Sequence, residues 1–250
     1  MTITINCDMG ESFGIYTLGD DEACMPFVTH ANIACGFHAS DPQVMWRTVR
    51  LAKKYGLDIG AHPGFPDREG FGRREIKLGR DETAAMVIYQ VGALKGFLDS
   101  EHTPLSHIKP HGSLFGMAMK DEGMAHGIAD AAEVFGVPVI GFSNCVMEDV
   151  YRERNIPYFC EFYFDLDYDD RGWQIITVEH VPVAPDVAVA RVLRAVNEGK
   201  VLSVNNKEVE VRADSICVHS DTPGAAAIAE AVHNALKSRL PRQADEDSAG

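Results

Sequence analysis

Short apolar runs recur along this chain, and each ends on a polar or ionisable residue before a longer segment with helical spacing begins. Thr2 to Cys7 is rich in isoleucine and threonine and stops at Asp8, the pattern of a buried strand. Ala31 to Cys35 repeats it, with Gly36 as the turn and His38 the first polar residue beyond. Asp41 followed by Pro42 reads as a capping side chain with proline in the first turn, which predicts a helix over Pro42 to Lys54. Gly56 ends that helix, and Leu57 to Ala61 forms the third strand. Asp81 and Glu82 open a long helix to about Leu98, and Leu105 to Lys109 is a fourth strand. Ser113 and Asp121 begin further helices, Val137 to Phe142 is a fifth strand, and Asn144 to Arg154 is helical. Tyr158 to Val183 is aromatic and β-like around an Asp-Asp-Arg-Gly turn, a strand with a hairpin excursion. A helix over Pro185 to Glu198, a hairpin around Asn205 and Asn206, a strand over Ser215 to Val218 and a helix capped by Thr222 and Pro223 complete the series.

Strands alternating with helices imply a mostly parallel sheet, and about seven such units fit a (β/α) barrel better than an open sheet. Residues 1–240 are expected to form one catalytic barrel domain, and 241–250, polar and charged, a disordered tail. The chain has no GxGxxG and no Gly-Lys-Ser/Thr phosphate loop. Its 37 acidic against 23 basic side chains give a formal charge of −14, which argues against nucleic-acid and anionic-membrane binding. Six cysteines stand in apolar runs with no CxxC pair, as reduced core thiols would, and the N-terminus lacks a signal-peptide pattern. A soluble cytoplasmic protein is expected.

The chemistry collects at the ends of the strands, where functional groups of parallel α/β folds stand. Asn6 and Asp8 end the first strand, His38 the second, His62 the third, Lys109 and His111 the fourth, and His219 and Asp221 the last. From His62 a stretch rich in glycine and proline runs to Arg74, IGAHPGFPDREGFGRR, too irregular for a helix or strand interior. A long ordered loop of this kind usually binds something, so Asp67, Arg68, Arg73 and Arg74 join the candidates. Two chemistries fit these groups. Asp8, His62 and His111 could hold a divalent metal, or Asp8 or Glu11 could act as a metal-free base with Lys109 stabilising an oxyanion.

The ordered motifs NCDMGESFG, NIACGFHASDP, IGAHPGFPDREGFGRR, YQVGAL, IKPHGSLFGMA and ICVHSDTPGA resemble the LamB/YcsF family, the bacterial A subunits of 5-oxoprolinase, over almost all of residues 1 to 238. The resemblance implies a deviant (β/α) barrel of about seven strands, similar to polysaccharide deacetylase and YdjC-like barrels. It implies ATP-dependent opening of 5-oxo-L-proline to L-glutamate together with partner subunits B and C. It also implies catalytic roles for Asp8, Glu11, His62, Lys109 and His111, and substrate contacts from Asn6, His38, Arg73 and Asp221; His219, placed at the last strand end, is expected to join those contacts. The YdjC likeness nominates Asp8, His62 and His111 as metal ligands; ATP would act through the complex.

Departures from the family pattern are Ser12 in ESFG, Ser220 in HSDTPG, and EFYFDLDY followed by WQIIT, which puts Leu166 where an arginine is usual and leaves a second arginine without a counterpart near Thr177. These raise the expectation of a substrate less anionic than 5-oxoproline. Rival readings are a deacetylase-like, metal-dependent hydrolase acting alone and a non-catalytic substrate-binding subunit. Tyr158, Phe159, Tyr163, Phe164 and Trp173 are of types enriched at contacts and are expected at a partner interface on the barrel mouth or, alternatively, in the barrel core or a homo-oligomer contact.

Overall fold

A computed structural model describes residues 2–175 and 183–241. The expected tail at 241–250 lies almost wholly outside these residues, as do the end of the β-like stretch and Thr177. Six parallel strands form the central sheet: β1 (Thr4–Met9), β2 (His30–Ala34), β3 (Asp58–His62), β4 (Val139–Gly141), β5 (Tyr158–Tyr163) and, last in the chain, β10 (Ser215–His219). Their order across the sheet is β3-β2-β1-β10-β5-β4. Between them lie α1 (Asp21–Cys24), α2 (Pro42–Lys54), α3 (Arg80–Ser100), α4 (Gly112–Ala118), α5 (Glu122–Phe135) and α6 (Val146–Glu153). A hairpin of β6 (Asp167–Tyr168) and β7 (Gln174–Ile175), then α7 (Pro185–Glu198) and a second hairpin of β8 (Lys200–Leu202) and β9 (Glu208–Glu210), precede β10, and α8 (Ala225–Leu236) follows it.

The expected fourth strand over Leu105 to Lys109 is reduced to a single stave. Pro104 and Pro110 bracket it, and proline can donate nothing to a ladder. Ile108 nevertheless pairs in parallel with Ala61 on one side and Val139 on the other. Lys109 N–H donates to Ala61 O at 2.9 Å and Ile140 N–H to Ile108 O at 2.9 Å, so the two edges of the sheet are joined and a barrel closes. Closure removes the exposed edges that an open parallel sheet would leave.

Capping explains several boundaries. Asp41 accepts hydrogen bonds from Gln43 N at 2.8 Å and Val44 N at 3.1 Å, starting α2 with Pro42 in its first turn. Asp121 does the same for α5 through Met124 N. β1, in contrast, runs two residues past its expected end, carrying Asp8 inside the strand, because Asp8 pairs with Asn32 on β2 and His219 on β10.

The inner surface of the barrel is polar. Alternation along β1 turns Ile5 and Cys7 one way and Asn6 and Asp8 the other, all buried. Asn6 donates to Ser215 Oγ at 2.8 Å, Asn32 donates to Asn6 Oδ1 at 2.7 Å, and the His107 ring meets Asn32 Oδ1 at 2.6 Å. This ring requires a glycine opposite it: a Cβ on Gly60 would lie 2.2 Å from His107 Nε2. Gly60→Ala is therefore expected to displace His107 and to lower stability by about 1–3 kcal/mol in urea denaturation, the usual cost of overpacking. An unchanged midpoint would show that the ring can move aside freely.

Candidate active site

At the carboxyl ends of the strands one small cavity, open to solvent at its mouth, is lined by Asp8, Glu11, His62, Arg73, Lys109, His111, His219 and Asp221. Asn6 and His38 are not among its lining residues: Asn6 lies below Asp8, and His38 is stacked on His111 with ring centroids 3.7 Å apart and planes 3° from parallel. Phe71, Phe115, Tyr163, Leu166 and Gln174 complete the wall.

The floor is a buried ammonium. Lys109 Nζ lies 2.8 Å from Asp8 Oδ1, 2.9 Å from Glu161 Oε1, 3.2 Å from Asn6 Oδ1 and 3.1 Å from Cys217 Sγ. Burial opposes its charge, but Asp8, with Cys217 and Glu161, outweighs that and holds the ammonium protonated well above the usual lysine range. Burial likewise works against ionised Asp8, and the neighbouring His62, Lys109 and His219 together outweigh it, holding the carboxyl well below the usual range. Because burial keeps His62 neutral, Lys109 and His219 are the cations that stabilise Asp8. Asn32 also donates to Asp8 Oδ1 at 2.8 Å, leaving Oδ2 directed toward His62 Nε2 at 3.4 Å and His219 Nε2 at 3.9 Å.

His219 is the opposite case to His62. Its Nδ1 donates to the buried carboxylate of Asp165 at 2.8 Å. Burial opposes its charge, yet Cys217 and Asp165 raise its pKa well above the usual value; since burial pushes the Cys217 thiol itself up to about 12, Asp165 is the charged partner. The cavity thus offers an ionised carboxylate and an imidazolium side by side.

Above them stand three neutral imidazoles. Burial brings His38 and His111 down to about 3, and His62 falls well below its ordinary value for the same reason. His62 Nδ1–H donates to Lys109 O at 2.7 Å, and His111 Nε2–H donates to Phe71 O at 2.7 Å. Burial, with Asp8 and Asp221 nearby and His111 opposing, pushes the Glu11 carboxyl up to about 8; its Oε1 lies 3.0 Å from His38 Nε2 and 3.4 Å from His111 Nδ1. The irregular loop lies directly on these rings: a Cβ on Gly72, where φ is +63°, would be 2.8 Å from His111 Cδ2 and from His38 Cβ.

Other loop candidates have bracing roles. Asp67 accepts from Gly70 N and is paired with Arg74, while Arg68 donates to Gly36 O and covers the Phe13 ring, so none of the three lines the cavity. Ser220 donates to Asp8 O and Asp21 Oδ1 at 3.0 Å each and does not line the cavity. Leu166, the other family departure, does line it. Among the aromatics expected at an interface, Tyr163 and Phe164 are buried, because Tyr163 Oη donates to Glu161 and Phe164 packs in the core. Phe159 is exposed; the most exposed apolar side chains on the loop after β1 are Ile15, 90% exposed, and Tyr16, 72% exposed.

Strand-end placement does not single out Glu161, Asp165 or Cys217. A glutamate within the apolar run FCEFYF is the one signal that could have found Glu161. For a metal, two groups of ligands come together among the described residues: Glu11 with His38, His62 and His111, and Asp8 with Cys217 and His219. The expected triad of Asp8, His62 and His111 falls across both groups. All six cysteines are free and buried.

Replacing Lys109 by methionine leaves Asp8 and Glu161 buried without their counter-charge, for which a loss of about 3–5 kcal/mol is expected in chemical denaturation. The double variant Lys109→Met, Glu161→Gln should recover part of it. An equal loss in both would remove Glu161 from the pairing.

The LamB/YcsF family pattern matches residues 3–245. Proteins described as the A subunit of 5-oxoprolinase from Staphylococcus haemolyticus (strain JCSC1435) and Staphylococcus aureus (strain Newman) are each 43% identical to this chain over 225 residues, covering 88% of it and 90% of the relative. A crystal structure of a lactam utilization protein from Thermus thermophilus superimposes with a TM-score of 0.89 at 40% identity, over 98% of this chain and 100% of that one. Among the described residues, no helix is long and apolar enough to cross a membrane. With the family pattern matched from end to end and the same barrel found in its relative, this chain belongs to the LamB/YcsF family.

Proposed function

We propose that this chain hydrolyses a small cyclic amide, 5-oxo-L-proline or a closely related lactam, to the open-chain amino acid, as the A-type subunit of an assembly whose B and C partners couple the step to ATP. The observation that carries this reading is the pairing, within one small cavity, of an ionised carboxylate at Asp8 with an imidazolium at His219. The names of the relatives support the substrate class and the division into subunits.

Hydrolysis adds water across the C–N bond, so one proton must leave the attacking oxygen and one must reach the departing nitrogen. Asp8 Oδ2, free of the bonds that occupy Oδ1, accepts the first; His219, charged and oriented by Asp165, delivers the second. Lys109 acts through Asp8: its ammonium is engaged by Asp8, Glu161 and Asn6, and it keeps the Asp8 carboxylate ionised instead of reaching for a developing oxyanion. An unstrained lactam resists attack because amide resonance is lost in the tetrahedral intermediate. ATP supplies activation through partner subunits, since the chain has no phosphate-cradling Gly-Lys-Ser/Thr loop of its own.

Glutamate release from 5-oxoproline is expected only when ATP and both partners are added, and His219→Gln, which removes the proposed acid, should lower that turnover at least ~100-fold while the chain stays folded. Full turnover by the single chain without ATP would sink the assembly reading and favour a hydrolase acting alone. Leu166 puts an apolar side chain on the cavity wall, where a leucine offers nothing to a substrate carboxylate. Leu166→Arg should therefore raise the kcat/KM ratio of 5-oxoproline over uncharged 2-pyrrolidinone by ~10-fold or more. An unchanged ratio would mean that position 166 does not meet the carboxylate.

A further inference from the structure

The geometry points to a divalent transition-metal site formed by His62 Nε2, His111 Nδ1 and the Glu11 carboxylate, with His38 as the residue that orients Glu11 and Asp8 outside the ligand set. This site stands on the arrangement of donors and does not depend on which amide is the substrate.

Proton positions decide which nitrogens can act as ligands. A carbonyl oxygen only accepts, so the bond from His62 to Lys109 O places the His62 proton on Nδ1, and the bond from His111 to Phe71 O places the His111 proton on Nε2. The two remaining nitrogens, His62 Nε2 and His111 Nδ1, are then both bare lone pairs, and they face each other at 3.0 Å. Two acceptors at that distance repel unless something positive lies beside both. Glu11 Oε1, a third acceptor, is 3.4 Å from His111 Nδ1. Ligands each ~2.1 Å from one metal ion are ~3.0–3.4 Å apart for angles between a right angle and a tetrahedral one; the His62–His111 and Glu11–His111 pairs have this spacing, and Glu11 and His62 lie within 4.8 Å of each other.

His38 completes the site from behind. Its Nδ1 is buried with no partner, and a buried N–H without an acceptor is costly, so its proton belongs on Nε2 and is donated to Glu11 at 3.0 Å. The carbonyls of Lys109 and Phe71 perform the same service for the two ligand imidazoles, fixing tautomer and ring orientation as backbone acceptors do behind metal-bound histidines. Three protein ligands leave further positions for water and substrate, as in catalytic metal sites, and two imidazoles with one carboxylate suit zinc, manganese or iron.

The competing group is Asp8 with Cys217 and His219. It is unsuited to a dication: the Lys109 ammonium lies 2.8 Å from Asp8 and 3.1 Å from Cys217 Sγ, where it would repel a second positive charge.

The test uses the purified full chain, stripped with a chelator, dialysed, and titrated with zinc or manganese by calorimetry, with bound metal counted by plasma mass spectrometry. One ion per chain is expected. Affinity should fall at least ~100-fold in Glu11→Gln, ~10- to 100-fold in His38→Gln, and far less in Asp8→Asn. Failure of the folded wild-type chain to bind either metal, or a loss in Asp8→Asn as large as in Glu11→Gln, would overturn the assignment. Cobalt substitution of the wild-type chain gives an independent readout should a variant fail to fold. Visible d–d bands without thiolate-to-cobalt charge transfer are expected, whereas charge-transfer bands would move the ion to Cys217 and refute the site. None of these readouts uses lactam turnover, so their failure and failure of the proposed activity are separate results.

Discussion

A single buried ammonium organises this barrel. Lys109 reaches from the stave that closes the ring to Asp8 on β1, Glu161 on β5 and Cys217 on β10, so one side chain ties together strands far apart in the chain. Charges taken out of water are tolerated only when paired and hydrogen-bonded, and here each partner accounts for another. Removing Lys109 would leave both carboxylates without that counter-charge in a low-dielectric interior. The polar ring of Asn6, Asn32, His107 and Ser215 below extends the same logic, filling with hydrogen bonds a space that barrels more often fill with branched apolar side chains.

That arrangement also sorts the protonation states above it. With Lys109 beside it, Asp8 stays ionised, and with Asp165 behind it, His219 stays charged; the three imidazoles one layer higher are kept neutral by burial and have backbone carbonyls or Glu11 as their proton acceptors. A cavity that holds an anion, a cation and bare nitrogen lone pairs side by side is what the proposed acid–base pair and the proposed metal ligands are drawn from. The irregular loop over Pro63 to Arg74 covers one side of the imidazoles. Its Asp67–Arg74 pair and the Arg68 contacts hold it down, and Gly72 allows it to lie directly on His38 and His111.

Much of this was legible in the sequence. The alternation of strands and helices, the Asp41-Pro42 cap, the hairpins and the strand-end placement of His62, Lys109, His111 and His219 all follow from local rules: period of hydrophobicity, capping chemistry and the conformational limits of glycine and proline. The six motif blocks were sufficient for the family, which the match over residues 3–245 bears out. These features share one cause: each is decided within a few residues of chain, or by a pattern that many residues repeat.

Tertiary structure decided the rest. Local pattern ends β1 before Asp8, yet pairing with β2 and β10 carries the strand through it; local pattern makes Leu105 to Lys109 an ordinary strand, yet two prolines and the need to bridge β3 and β4 leave one paired stave. Glu161, Asp165 and Cys217 enter the site only because β5 and β10 are neighbours, a fact of sheet order that no window of sequence contains. Charge and tautomer are likewise set by partners remote in the chain: His62 by the carbonyl of Lys109, His111 by that of Phe71, Lys109 by Asp8 and Glu161. The sequence names the groups; which of them are ions, which are lone pairs and which merely brace a loop depends on distances that only the closed barrel creates.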